Sequence, residues 1–182
     1  MGRTLAIGDI HGCDKALTTL LANIGLSSED TLVVLGDMID RGPGSREVIE
    51  QLLQLQQKVK LIALCGNHEE MLLQSLERGF PKMIWVGSGA LATLDSYGGN
   101  LSDIPESHVH FFKSLSDFWQ TETHIFVHAN VDPQLPMTDQ SIACLRWQHF
   151  SGEEHPHCSG KTVVCGHTGQ PSGFPAICDG YI

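Results

Sequence analysis

Three times in the first third of the chain, a short apolar run ends in a glycine turn carrying acid, amide or histidine side chains. A helical pattern follows each turn. The first run is Thr4 to Ile7, followed by Gly8-Asp9-Ile10-His11-Gly12 and then by Ala16, Leu17, Leu20, Leu21 and Ile24 at helical spacing, with Gly25 as the stop. The second is Thr31 to Leu35, followed by Gly36-Asp37-Met38-Ile39-Asp40-Arg41-Gly42 and a helix that Ser45 can cap, with Val48, Ile49, Leu52 and Leu53 as its apolar face. The third is Val59 to Leu64, followed by Gly66-Asn67-His68-Glu69 and a helix from Glu69 to Arg78 ending at Gly79. Strands alternating with helices imply a parallel sheet covered on both faces, which excludes an all-helical or all-strand design.

The second half is less regular. A Gly-rich stretch runs from Gly87 to Asn100, and a helix is expected near Glu106 to Leu115 after Pro105. His124 to Val127 and Thr162 to Cys165 read as further strands, and Ala176 to Cys178 with Tyr181 and Ile182 as the start of a hairpin. With 182 residues and no internal repeat or linker, the chain reads as one domain with one sizeable core. No apolar run approaches the ~20 residues that span a membrane, and no signal peptide is apparent, so a cytoplasmic location is expected. The six cysteines show no CxxC pairing and read as reduced thiols. A net charge of −10 leaves no basic footprint for nucleic acid. An acidic protein with an anionic substrate must build a local positive site, and bound metal ions are the simplest source.

The candidate chemistry sits where strands end. To the three turns are added Val127-His128-Ala129 and Gly166-His167-Thr168. Ligands of open α/β sheets gather outside the carboxyl ends of the strands, so these five places converge. Oxygen ligands mixed with imidazoles suit first-row divalent ions such as manganese, iron or zinc. One carboxylate between two such ions holds them ~3.5–4 Å apart.

These residues carry a resemblance. Gly8-Asp9-Ile10-His11-Gly12, the Gly36-Asp37 to Asp40-Arg41-Gly42 run and Gly66-Asn67-His68-Glu69, in that order, resemble the motifs of the calcineurin-like metallophosphoesterases, and most closely the serine/threonine phosphoprotein phosphatase branch of bacterial and bacteriophage lambda type. Diadenosine tetraphosphatases share the motifs. The resemblance runs from Thr4 to the end and includes Thr93-Leu94-Asp95-Ser96-Tyr97-Gly98. It implies a four-layer α/β/β/α sandwich over residues 1–182. Relatives continue into a strand reading Ile-Asp-Thr-Gly where this sequence stops at Ile182, so a final strand is expected to be missing.

Carried over residue by residue, the resemblance implies that Asp9 and His11 hold a first metal and that Asp37 bridges. Asn67, His128 and His167 would hold the second. His68 would be the general acid, Asp40 its orienting partner and Arg41 a phosphate-binding arginine. Arg146, in the run Cys144-Leu145-Arg146-Trp147-Gln148, is the candidate for a second such arginine, though not in the family's usual setting. The implied reaction is hydrolysis of phosphate monoesters by a hydroxide bridging two divalent ions, manganese first among them and iron or zinc as alternatives. The implied substrate is a phosphoserine or phosphothreonine protein. A dinucleoside polyphosphate or another small phosphate ester is the alternative, and a non-catalytic metal-stabilised module the third reading. Structure alone needs none of Asp40, Arg41 and His68, which disfavours that third reading.

Plainer readings compete at several positions. His128 alone could be a satisfied core histidine, and Arg146 could serve a salt bridge instead of phosphate. Glu153 to Cys158 resembles a metal site but suits a solvated loop. Gly87-Ser88-Gly89-Ala90-Leu91-Ala92 mimics a dinucleotide fingerprint but lacks a preceding strand. Phe118 and Trp119 suit a core better than a stacking platform.

Overall fold

A computed structural model describes residues 2–182. The first three strands, β1 (Thr4–Ile7), β2 (Thr31–Val34) and β3 (Lys60–Ala63), form a parallel sheet in the order β1-β2-β3. The intervening helices are α1 (Asp14–Ile24) and α2 (Ser45–Leu55), and α3 (Asn67–Arg78) follows β3. Strands β4 (Phe118–Gln120), β5 (His124–Val127) and β6 (Thr162–Val164) form the second sheet, with β4 antiparallel and β6 parallel to β5.

The period-2 alternation of strand side chains decides how these layers stack. Val33, Leu35 and Leu64 from the first sheet meet Phe126 and Val164 from the second, sealing the space between them. On the far face of the first sheet, Val34 joins a large core with Leu17, Ile49, Leu52, Met71 and Phe112 from the helices. On the far face of the second sheet, Ile125, Val127 and Val163 pack on Leu145, Met137 and Tyr181. Leu145 lies in α7 (Ile142–Trp147), a short helix; the rest of this outer cover is irregular chain. The order of layers is helices, sheet, sheet and a thin outer cover, the sandwich the resemblance implied.

Three elements depart from expectation. The Gly-rich stretch holds a helix, α5 (Ala90–Tyr97), bounded by Gly89 and Gly98 in the left-handed region, and α4 (Met83–Gly87) precedes it. Glycines at helix ends punctuate the helix without dissolving it. Helix α6 (Glu106–Lys113) lies where its Pro105 start predicts. Phe118 and Trp119 fall in β4, a strand too short to show a period, and Trp119 stacks on Phe126 at 5.3 Å between the sheets. The expected terminal hairpin is reduced to single bridges: Cys178 meets Tyr181, and Tyr181 lies parallel to Val163 of β6. Among the described residues, no helix is long and apolar enough to cross a membrane.

Candidate metal centre

Apart from Arg146, which lies in α7, the expected site residues stand in the turns that follow the carboxyl ends of strands, and several of those turns are strained to put them there. Among the described residues, the non-glycine positions with positive φ are His11 (46°), Asp37 (48°), Asp40 (72°), Arg41 (67°) and His167 (59°). Left-handed backbone costs a side-chain-bearing residue of order 1–3 kcal/mol and persists only where the surroundings over-determine it. All five are candidate site residues. Glu69, fully buried, supplies part of that determination. Its Oε1 accepts from the Met38 N–H at 2.7 Å, and its Oε2 from those of Asp37 at 2.9 Å and Gly66 at 3.0 Å. This pins the turn after β2 to the turn after β3. Gly36 (φ 111°) serves the close approach of the two sheets, since a Cβ there would stand 2.7 Å from the His128 ring nitrogen Nδ1.

The side chains converge on two adjacent places. At the first, His11 Nε2 lies 3.8 Å from Asp9 Oδ2 and 3.7 Å from Asp37 Oδ2. At the second, His128 Nε2 lies 3.4 Å from Asp37 Oδ1, 3.1 Å from His167 Nδ1 and 3.0 Å from Asn67 Oδ1. Asp37 therefore turns one oxygen to each place. Ligand atoms about 2.0–2.2 Å from one ion stand roughly 3–3.5 Å apart, so the spacings at the second place suit a coordination sphere, while those at the first are a few tenths of an ångström wider.

The protonation pattern fits as well. The Nδ1–H of His11 donates to the Ile39 carbonyl at 2.9 Å, and that of His128 to the Leu35 carbonyl at 2.9 Å. Each leaves a neutral Nε2 lone pair aimed at the cluster, the second-layer arrangement found behind metal-bound imidazoles. Burial lowers the pKa of His11 and His167, and pushes His128 down to about 4, so the rings are neutral near pH 7. Asp37 is pushed up to about 9, first by burial and then by the Glu69 and Asp9 charges. A carboxylate so crowded by negative charge gains most from a cation. His11 Nε2 and His167 Nε2 are buried without a hydrogen-bond partner. Asn67 Oδ1 faces the His128 lone pair, acceptor to acceptor, an orientation a cation between them would satisfy; the swapped amide would instead donate to His128, His167 and Asp37. The donor set, hard oxygens with neutral imidazoles, suits divalent first-row ions.

A cleft of about 420 Å³ opens over the cluster. Asp37, Asn67, His68 and His167 line one side and Arg41 another. His68 is buried, with Nδ1 2.6 Å from Asp40 Oδ2 and Nε2 3.4 Å from Arg41 Nη2. By position alone His68 could join His11 and Asp37 on an ion. The Arg41 guanidinium at its Nε2 occupies that approach with a positive charge, which favours an anion there over a second cation.

Arg146 lies elsewhere. Its guanidinium binds Asp117 at 2.5 Å and 3.1 Å and Glu70 at 3.4 Å, and it does not line the cleft. The carboxylates of Asp117 and Glu70 draw it into the wall, which is the salt-bridge reading of this position. Two cleft residues escaped the motif reading, Trp147 and His149. Trp147 donates from Nε1 to Glu70 at 2.9 Å, and His149 stacks on His167 at 4.4 Å. Their only signal in the sequence was proximity to Arg146. Far from the centre, His157 has both ring nitrogens engaged, by Ser159 and by the Leu135 carbonyl, so the Glu153 to Cys158 segment behaves as a tied loop.

Comparison with known proteins places the chain among relatives. A family model described as calcineurin-like phosphoesterase matches residues 2–171. A symmetrical bis(5'-nucleosyl)-tetraphosphatase from Neisseria gonorrhoeae is 37 % identical over 168 residues, covering 87 % of this chain and 52 % of its own length. One of the same name from Acidovorax ebreus is 50 % identical over 68 residues, 37 % of this chain and 24 % of its own. This chain thus spans about half, or less, of the curated relatives it matches. Among solved structures, a protein serine/threonine phosphatase from Saccharomyces cerevisiae superposes with TM-score 0.65 at 16 % identity, covering 93 % of this chain and 65 % of its own. A metallophosphoesterase from Sphaerobacter thermophilus does so with TM-score 0.58 at 20 % identity, covering 90 % and 59 %. At these identities the two structures speak for the fold.

Proposed function

Because the chain belongs to the calcineurin-like phosphoesterase family, we propose that it hydrolyses small phosphate esters at a two-metal centre, with dinucleoside polyphosphates of the tetraphosphate type as its substrate class. The carrying observation is the placement of Asp37, one oxygen toward Asp9 and His11's cluster and the other toward His128 and His167, beneath a cleft bearing Arg41 and His68. The relatives named as tetraphosphatases favour the small-substrate reading over the phosphoprotein reading expected from the sequence. A cytoplasmic location and manganese as the ion belong to the same proposal.

In this reading Asp9, His11 and Asp37 would hold one ion, and Asp37, Asn67, His128 and His167 the other. Bound divalent ions there supply Lewis acidity and lower the pKa of water. The chain's own groups do the rest. Arg41 offers planar N–H donors to the equatorial phosphate oxygens, a geometry suited to a guanidinium. His68 Nε2 faces the cleft and gives a proton to the departing oxygen, a contribution of typically 10²–10⁴-fold. Asp40 accepts from His68 Nδ1–H, fixing the orientation of the ring. Trp147 and His149 line the cleft, and planar rings there suit a nucleobase or other planar leaving group.

The test is a panel with manganese-supplemented enzyme: diadenosine tetraphosphate, a phosphoserine peptide and p-nitrophenyl phosphate. Highest kcat/KM on the dinucleotide, with chromatographic identification of nucleotide products, is expected. A higher value on the phosphopeptide overturns the substrate class and restores the protein phosphatase reading.

A further inference from the structure

Helices α4 and α5 supply no candidate metal ligand, yet they meet the turn that carries Asp40 and Arg41. Asp40 is fully buried, and so are Trp85 in α4, Thr93 in α5 and Ser45 at the start of α2. A buried carboxylate needs a donor at each oxygen, and here every donor is identified. Asp40 Oδ2 accepts from His68 Nδ1–H at 2.6 Å and from the Trp85 indole N–H at 2.7 Å. Oδ1 accepts from the Thr93 hydroxyl at 2.6 Å.

Thr93 also grips the backbone. Its Oγ1 accepts from the Asp40 N–H at 2.8 Å, while Ser45 Oγ stands 3.0 Å away. Since the Thr93 proton points at the carboxylate, Ser45 is the donor to Thr93, and Ser45 Oγ in turn shares the Asp40 N–H with Thr93, accepting it at 3.1 Å. Asp40 itself sits at φ 72°, a conformation that needs such a hold. Next to it, the Arg41 N–H donates to the Gly89 carbonyl at 3.3 Å. A Cβ at Gly89, where φ is +109°, would stand 3.0 Å from the Arg41 nitrogen, so glycine permits the approach.

We propose that Trp85 and Thr93 are positioning residues of the phosphoesterase site: they hold the Asp40 carboxylate in one rotamer, and through it the His68 ring, while Gly89 holds Arg41. The proposal rests on the reading of His68 as proton donor only for its kinetic consequence; the placement of the ring is tested separately. A core that merely needed filling would be served by apolar side chains at all three buried positions, without a closed polar network.

The experiment uses Thr93→Val, close in shape but without the hydroxyl, with Thr93→Ser as rescue and Trp85→Phe as a second removal of one donor. In zinc-loaded, ¹⁵N-histidine-labelled protein, the Nδ1–H resonance of His68, identified by its loss in His68→Asn, reports the bond to Asp40. Thr93→Val is expected to shift that resonance or broaden it by exchange with metal content unchanged, and Thr93→Ser to restore it. Turnover of phenyl phosphate should fall on the order of 10-fold, as for other groups that orient a reacting side chain, and that of p-nitrophenyl phosphate far less. An unshifted resonance in both Thr93→Val and Trp85→Phe overturns the proposal whatever happens to activity. A shifted resonance with equal losses on both substrates upholds the brace and removes the proton-donor role of His68, so the two failures are told apart. Should Thr93→Val fail to fold, Trp85→Phe, which keeps an aromatic ring in place, decides alone.

Discussion

The half of the molecule built on β1–β3 lies under a layer of helices, α1 to α6, whose side chains join one continuous core. The half built on β4–β6 is covered by the short α7 and irregular chain, and its outer core is a smaller cluster around Ile125, Val163 and Tyr181. The two halves contribute to the centre in proportion. The first brings Asp9, His11, Asp37, Asn67, His68 and Arg41, with Asp40 behind His68; the second brings His128 and His167. A single half can assemble the first ligand group, since Asp9, His11 and Asp37 all follow neighbouring parallel strands. The second group exists only when the sheets meet, because His128 and His167 face Asp37 and Asn67 across the sandwich. A cation bound there ties the halves together, and it should matter more to the thinly covered half than to the helix-covered one.

The sharpest way to break this comparison is Asp37→Asn, which removes the one charge shared by both ligand groups. Turnover should fall at least on the order of 10³-fold, and metal analysis should show loss of at least one ion per chain. Retention of two ions with near-normal affinity would mean that Asp37 does not link the groups. Next in size is His68→Asn, which touches the chemistry of the first half without touching the tie between halves. Phenyl phosphate turnover should drop ~10²–10⁴-fold. Metal content and melting temperature should stay close to wild type, and a loss of metal would make His68 a ligand instead of a proton donor.

Chelation tests the tie itself. Removal of metal should lower the melting temperature, because ions bound to the folded state are linked to folding. Hydrogen exchange should quicken at Ile125 to Val127 and Val163 to Val164 well before it does at Leu32 to Val34; equal loss in both sheets would refute the difference between halves. The effect should also depend on pH. Asp37 is raised to about 9 in the folded chain against ~4 unfolded, so its folded form holds the extra proton and metal-free stability falls as pH climbs between those values. His128, lowered to about 4 against ~6.5 unfolded, works oppositely, adding stability as pH rises to ~6.5. Above about pH 6.5 the His128 gain is complete, while the Asp37 loss continues to about 9 and buried Glu69, its pKa also raised, works in the same direction, so the melting-temperature gain from metal should widen across that window. A constant gain would show that Asp37 is not the group exchanging its proton for a cation. The smallest expected effect is that of Arg146→Ala. With its guanidinium bound to Asp117 and Glu70, the change should cost a few degrees of melting temperature and alter Trp147 fluorescence, with kcat/KM within about 5-fold. A loss near 10²-fold would put Arg146 on the phosphate after all.

Legibility followed the same division. In the first half, strand, glycine turn and helix recur within a few residues, so local pattern marked both the elements and the side chains at the strand ends. In the second, β5 and β6 were readable as apolar runs, but β4 is three residues long and α7 six, too short for a period to mark them. Arg146 shows the limit: its run was visible, but whether a guanidinium faces substrate or a carboxylate depends on Asp117 and Glu70, which lie far from it along the chain.

By itself the sequence determined the alternating plan of the first half and marked Asp9, His11, Asp37, Asn67, His128 and His167 as candidate ligands, because hard oxygens and imidazoles after glycine turns are a local chemical pattern; the role of His68 was legible only through the family resemblance. Only the tertiary structure decided that Asp37 turns one oxygen to each group, that Glu69 pins two turns together, and that Trp85 and Thr93 close around Asp40. Those are decisions about direction. A side chain's direction is set by backbone held in the left-handed region and by hydrogen-bond partners brought from elsewhere in the chain, and neither can exist before the layers have packed.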